Sequence, residues 1–421
     1  NGKPVEDAYL ELVLTLEHIH WAAKNAGKVL RTRSVAPGLL MANHSARIER
    51  RPFGVVGVIG PWNYPIYTPN GSIAYALAAG NTVVFKPSEY TPAIGSYFVD
   101  SFARANPLAP LGVLSVVTGF GETGAALCRS GVDKLAFTGS AGTGRKVMAC
   151  CAETLTPVLM ECGGNDAFIV AEDADLRAAA VAAAWGAVSN GGQTCVGVER
   201  VYVTRGVGEE FLAELRKQLD RVRPGAGGDA TYGPMTMPSQ LDVVRRHIAD
   251  ALEHGGTAAI GGLESVRPPF VDPVVIVDAD EDSAAVREET FGPTITVRTV
   301  ADIDEAVRLA NGTSYGLAAT VFSRGRGMEI AARMEAGMTS VNSVLGFAAV
   351  SSLPFGGQGQ SGFGRIHGAD GLREFTVPHS ISRQRFAIPG MTLMKFGRSR
   401  VAMAAIRLLV KFRHGRSHQR R

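Results

Sequence analysis

Short apolar runs alternate with longer stretches of helical period along most of the chain. After an opening amphipathic stretch from about Ala8 to Leu30, the runs Val55–Ile59, Thr82–Phe85, Val113–Val117, Lys134–Phe137 and Ala167–Val170 read as strands. Between them lie Gly71–Ala79, Pro92–Ala105, Glu122–Arg129 and Thr143–Glu153, rich in Ala and other helix formers. Apolar strands alternating with helices predict an α/β fold with a parallel, doubly wound sheet. From Ala174 to Asn190 an Ala-rich helix leads into a glycine-rich loop, Gly191 to Gly197. A second alternation follows, with Arg200–Val203, a helix around Glu209–Arg221, and Val274–Val277. The pattern predicts two α/β lobes with a loop-borne site between them.

At 421 residues the chain exceeds what one hydrophobic core organises, which agrees with two lobes. Its 46% apolar and 19% charged residues exclude a disordered or fibrous protein. The net charge of +4 is unevenly spread: Phe375 to Arg421 holds 11 Lys or Arg and no Asp or Glu. The remainder is therefore net acidic, so an anionic partner is expected for the tail alone and nucleic-acid binding is not expected. Five cysteines without CxxC pairs or His-rich spacing predict free thiols, a reducing, cytoplasmic setting and no metal site. No signal peptide is seen, and the start at Asn1 predicts a missing upstream segment. No run of about eighteen apolar residues exists, so no spanning helix is expected.

The candidate chemistry begins with Cys195, in the glycine-rich turn Asn190-Gly-Gly-Gln-Thr-Cys195. A Cys there can present its sulfur to a cleft, where backbone N–H groups stabilise a thiolate. The ordinary reading of a lone Cys is a buried structural thiol, and it is kept for Cys128, Cys150 and Cys162. Six further segments change the balance for Cys195. Pro61-Trp-Asn-Tyr-Pro65 follows the first strand, where an Asn63 amide can donate to a developing oxyanion. Lys86-Pro-Ser-Glu89 follows the next strand, and Phe137-Thr-Gly-Ser140-Ala-Gly-Thr-Gly144 runs from a strand through a small-residue turn into a helix. Glu161-Cys-Gly-Gly164, Glu288-Glu-Thr-Phe-Gly-Pro293 and Pro354-Phe-Gly-Gly357 with Ser361-Gly-Phe-Gly364 complete the set.

In this order, the segments resemble the aldehyde dehydrogenase superfamily over about Asn1 to Thr376, nearly the whole chain. The chain looks like a member trimmed at its start, and its basic C-terminal extension is similar to that of the membrane-associated, long-chain branches. The resemblance implies a Rossmann-like cofactor domain at 1–33 and 53–163, an α/β catalytic domain at 164–360, and a small β oligomerisation element at 34–52 and 375–386. A hairpin around Ser34–Arg51 and a strand near Thr376–Arg385 would form that element and pair subunits into a homodimer or homotetramer. Residues 387–421 are left as a basic tail.

The resemblance also assigns roles. Cys195 attacks the aldehyde carbon, the Asn63 amide and the Cys195 N–H hold the oxyanion, and Glu161 is general base for thioester hydrolysis. Glu161 then needs a site apolar enough to raise its pKa toward neutrality; its plain alternative is a capping or surface carboxylate. Lys86 and Glu89 resemble the pair that holds the adenosine ribose, and a carboxylate at Glu89 favours NAD over NADP because it repels a 2′-phosphate. Gly139, Ser140 and Gly144 lead into a helix whose first amides can meet the pyrophosphate. Glu289 resembles the nicotinamide-ribose residue, with Phe291 beside it and Trp62 also at the cofactor. Trp62, Tyr67 and Phe347 are candidates for the substrate tunnel, with plain core packing the alternative. The chain departs from the family at Asn165 and Gly359, where Lys is common.

In the tail, Val401 to Val410 is apolar apart from Arg407, and Arg400, Arg407 and Lys411 recur at helical spacing. This pattern predicts peripheral attachment to an anionic membrane surface through roughly Met391 to Phe412; the alternative is a tail packed on a partner subunit or simply disordered. Two rival functions remain. In a CoA-acylating dehydrogenase a base for water serves no purpose, which Glu161 opposes. A catalytically silent membrane scaffold has no need of Asn63, Glu161, Cys195 and Glu289 together.

Overall fold

The apolar runs become the strands of two large sheets. The computed structural model describes residues 1–387, 396–397 and 400–414, and opens with helix α1 (Val5–Val29). Strands β1 (Arg33–Val35) and β2 (His44–Pro52) belong to a separate small sheet. The first large sheet then builds by alternation: β3 (Val55–Ile59), α2 (Tyr67–Ala78), β4 (Thr82–Lys86), α3 (Pro92–Ala105), β5 (Leu114–Val116), α4 (Gly121–Arg129), β6 (Lys134–Gly139), α5 (Ala141–Ala152) and β7 (Val158–Cys162).

This sheet runs in the order Gly362–Phe363, β7, β6, β3, β4, β5. All neighbours are parallel except the short first strand, which is antiparallel to β7. From β3 the chain proceeds outward through β4 to β5, then returns to the other side of β3 for β6 and β7. That reversal leaves a crevice at the carboxyl ends of the strands, where ligands of such sheets bind. β3 ends at Ile59, β4 at Lys86, β6 at Gly139 and β7 at Cys162, so four of the motifs issue directly at the crevice.

In the second sheet, α6 (Leu176–Val188) connects β8 (Asp166–Val170) to β9 (Val198–Thr204). Its order is Thr257–Ile260, Val274–Val277, Thr294–Val300, β9, β8, Ala318–Phe322, Met338–Val341, all parallel after the first pair. Asp175 caps α6 by accepting the Ala178 N–H at 3.0 Å. The helix then lays Ala179, Ala180, Ala183 and Ala187 against Phe168, Val201, Val203 and Phe211, all buried. Burial of each large apolar side chain contributes roughly 1.5–3 kcal/mol. Small alanines let helix and sheet approach closely enough to seat the loop beyond α6.

Element ends differ from the pattern by a few residues. α2 starts four residues before the predicted Gly71, because Pro69 fits within a first helical turn that lacks N–H partners. β9 begins at Val198 and so draws the charged Glu199 and Arg200 into the buried sheet.

By contacts the chain forms two compact units. One comprises Asn1–Val29 and Pro52–Val377 and holds both large sheets; the other comprises Leu30–Arg51 and Pro378–Arg421. In the small sheet, β2 lies between β1 and the strand Thr376–Gln384. A helix spans Arg400–His414. Of the expected membrane segment Met391–Phe412, 391–395 and 398–399 lie outside the described residues, as do 388–390 and 415–421 of the tail. No helix among the described residues is long and apolar enough to cross a membrane.

Candidate active site

Past α6, a 3₁₀ turn at Ser189–Gly192 carries the chain toward Cys195, with Asn190 and Gly191 at positive φ of 54° and 67°. Gln193 pins this loop: its amide donates to the Asn190 carbonyl at 2.7 Å and its Oε1 accepts the Thr236 N–H at 2.8 Å. Asn63 reaches in from the loop after β3 and donates to the Gln193 carbonyl at 2.9 Å. Cys195 is half-buried and faces a cleft of about 850 Å³.

The cleft gathers residues that are far apart in sequence. Trp62, Asn63, Lys86, Glu89, Gly139, Ser140, Glu161, Cys195, Glu289 and Phe291 all line it. Gly144 does not: it sits in α5 where a Cβ would stand 3.1 Å from the Cys162 sulfur, a position of close helix–strand packing. Tyr67 and Phe347 also lie off this cleft; the Tyr67 hydroxyl donates to the Ala348 carbonyl at 2.9 Å, and the Phe347 ring packs 6.3 Å from Phe355.

Glu161 is the penultimate residue of β7, 3% exposed, and neither carboxylate oxygen has a hydrogen-bond partner. Gly356 makes room for it, since a Cβ there would stand 2.8 Å from Oε1. Burial raises its carboxyl well above the usual range, against the pull of the Arg365 charge. It is therefore no capping or surface carboxylate. Burial likewise pushes the Cys195 thiol far up, helped by the Glu289, Asp166 and Glu161 carboxyls, and the single Val196 N–H at the sulfur does not offset this.

The residues suit a dinucleotide. Lys86 is buried at the end of β4, its ammonium donating to the Pro87 carbonyl and lying 3.8 Å from the Glu89 carboxylate at the cleft mouth. Ser140 caps α5, its hydroxyl accepting the Thr143 N–H at 3.3 Å, and directs a twelve-residue helix at the cleft by its N-terminus. Glu289 stands against Gly163, where any Cβ would lie 2.0 Å from its Oε2, and accepts the Gly164 N–H at 3.2 Å. Trp62 and Phe291 meet edge to face at 5.6 Å. The unpartnered Glu161 acid and the Cys195 thiol thus line the same cleft as the Lys86–Glu89 pair, the α5 N-terminus and Glu289.

The model of the aldehyde dehydrogenase family matches residues 1–381. The chain belongs to the aldehyde dehydrogenase family. It is 41% identical over 392 residues, 92% of this chain and 73% of the other, to a 4,4'-diapolycopene aldehyde oxidase of a Methylomonas species. It is similar to the structure of an NAD-dependent aldehyde dehydrogenase from Sinorhizobium meliloti, with 31% identity, a TM-score of 0.86, and coverage of 93% of this chain and 78% of that one. An E. coli NADP-dependent enzyme gives 33% identity and a TM-score of 0.86, covering 91% and 80%. This aldehyde dehydrogenase is an oxidoreductase that oxidises aldehydes, and its family uses NAD or NADP.

Several residues that shape the aldehyde dehydrogenase site went unread in the sequence. Glu199 and Arg200 project from β9 to opposite sides. Arg200 donates to the Asn165 carbonyl at 2.8 Å and to the Leu309 and Ala310 carbonyls, while Glu199 accepts the Thr290 and Phe291 N–H groups, both at 2.8 Å. Asn165, one of the departures from the family pattern, also donates to the Val286 and Glu288 carbonyls. The signal was present: two adjacent charges head an otherwise apolar strand, and buried charges need partners. Asp166 and the ring pair His18–His367 are likewise buried.

Proposed function

We propose that the enzyme oxidises its aldehyde to the carboxylic acid through a covalent thioester on Cys195. The observation that carries this reading is the convergence of the Cys195 thiol and the orphaned Glu161 carboxyl on one cleft. Glu161 takes the thiol proton as the sulfur adds to the aldehyde carbon. The resulting oxyanion is held by the Asn63 amide and the Cys195 N–H. A nicotinamide held by Glu289, Phe291 and Trp62 would supply the acceptor for the hydride that leaves that carbon. Glu161 releases that proton to solvent, then draws one from the water that attacks the thioester and passes it to the departing sulfur, so the acid leaves and the thiol is restored. A base on the same cleft can also activate water for the second half, which favours hydrolysis over acyl transfer to CoA.

Lys86 and Glu89 hold the adenosine ribose, the α5 terminus at Gly139 and Ser140 meets the pyrophosphate, and Glu289 with Phe291 and Trp62 holds the nicotinamide end. Glu89 disfavours a 2′-phosphate, so NAD is the preferred cofactor over NADP. The open edge of Thr376–Gln384 suits pairing with a second copy, giving a homodimer or homotetramer. The helix Arg400–His414 supports the membrane reading: Val401, Leu408 and Phe412 are exposed along one side, among basic residues only.

The test is NADH formation at 340 nm across an aldehyde series, with wild type beside Cys195→Ala. Turnover in wild type and none in the variant is expected. Equal rates in both would end the thioester reading.

A further inference from the structure

We infer that Glu199 is a positioning residue that sets the nicotinamide end of the cofactor site by clamping the turn carrying Glu289 and Phe291. The inference rests on the cofactor reading proposed above. Glu199 lies four residues past Cys195, at the start of β9, and is 6% exposed. Its two carboxylate oxygens divide two consecutive backbone donors: Oε2 takes the Thr290 N–H and Oε1 the Phe291 N–H, each at 2.8 Å.

The clamped turn has a shape that its sequence does not favour. Phe291 adopts φ of 51°, in the left-handed region that bulky side chains avoid, so contacts from elsewhere must fix it. Two do. The nucleophile loop backs directly onto the turn, since a Cβ on Gly192 would stand 2.1 Å from the Gly292 carbonyl carbon. The second is the Glu199 carboxylate, which matches the spacing of neighbouring N–H groups as no single-acceptor side chain can. With the turn fixed, the Glu289 carboxylate is held over Gly163 and the Phe291 ring against Trp62. Glu199 is not among the residues that line the cleft; it acts through the residues it holds.

The clamp is sensitive to protonation. The Glu199 carboxyl is raised to about 7 by burial, against the pull of the Thr290 and Phe291 N–H groups and the Arg200 charge. The Glu289, Asp166 and Tyr315 side chains also face it electrostatically, and His247 bonds the Thr290 hydroxyl at 3.0 Å. A protonated Glu199 offers an O–H where an acceptor is needed, so one of the two bonds is lost as pH falls through neutrality.

Calorimetric binding of NAD and of ADP to wild type, Glu199→Gln and Glu289→Gln separates the possibilities. ADP reports only the adenosine end at Lys86 and Glu89. The expected result is at least a tenfold weaker NAD affinity in Glu199→Gln with ADP affinity unchanged. Wild-type NAD affinity should also weaken from pH 8 to pH 6, a step that Glu199→Gln lacks. Unchanged NAD affinity in Glu199→Gln, while Glu289→Gln is weakened, would overturn the inference and leave the cofactor reading intact. Equal loss of NAD and ADP would also overturn it, as general damage to the fold. Absence of NAD binding by wild type would remove the cofactor reading and this inference with it.

Discussion

Asn63 donates its side-chain amide to the backbone carbonyl of Gln193 at 2.9 Å. The loop that leaves β3 is thereby fastened to the nucleophile loop two residues before Cys195, and Asn190 strengthens the joint by donating to the Asn63 carbonyl at 3.3 Å. An oxyanion donor is useful only if it does not move as charge develops, and this bond supplies that rigidity.

Asn63→Ala should therefore lower kcat by about 10²–10³-fold, the usual effect of losing one oxyanion donor. NAD affinity should hold, because the Asn63 amide is not among the groups assigned to the cofactor. Steady-state rates at saturating aldehyde, with NAD binding measured separately, check this; a kcat near wild type would remove Asn63 from the oxyanion site.

Glu161→Gln should uncouple the two halves of the reaction. Hydrolysis loses its base and steady-state turnover should fall by roughly 10²–10⁴-fold. At raised pH hydroxide can take the thiol proton in place of Glu161 as the sulfur adds, so one equivalent of NADH should still form in a burst. Stopped-flow absorbance at 340 nm reads both phases. In wild type, turnover should decline as pH falls through the raised pKa of Glu161, since only the ionised carboxyl accepts a proton. A pH-independent hydrolytic step would contradict the assignment.

His18 and His367 stack at 3.7 Å between ring centroids, and both are buried. The His18 Nε2–H donates to the Ala348 carbonyl at 3.0 Å, while neither ring nitrogen of His367 has a hydrogen-bond partner. Burial lowers the pKa of both, that of His367 well below normal. The unfolded chain then takes up protons below about pH 6.5 that the folded one refuses. Stability present above that pH is lost as pH falls, by up to about 1.4 kcal/mol per pH unit for each ring. The buried Glu161, Asp166 and Glu289 carboxyls act in the opposite sense, so the informative quantity is a difference. Between pH 7 and pH 5, Tm should fall more for wild type than for His367→Asn; parallel curves would refute the account.

Local pattern along the chain fixes where strands and helices fall and which motifs stand at strand ends. Apolar runs such as Val55–Ile59 and Thr82–Phe85, with helices between them, carry a local period that folding preserves, and β3 matches its run residue for residue. Asn63, Glu161, Cys195 and Glu289 were legible because each sits in a distinctive short motif just past a strand or helix. Their electrostatic state was not. The pKa of Glu161 depends on Gly356, almost two hundred positions away, leaving its oxygens no partner. The same holds for Cys195, whose thiol is pushed up by burial and by the Glu289, Asp166 and Glu161 carboxyls against one backbone N–H. Glu199 clamps donors 91 and 92 residues further along, and no local pattern records such a pairing. Desolvation and long-range hydrogen bonds are set by which surfaces meet, and only the tertiary structure decides that.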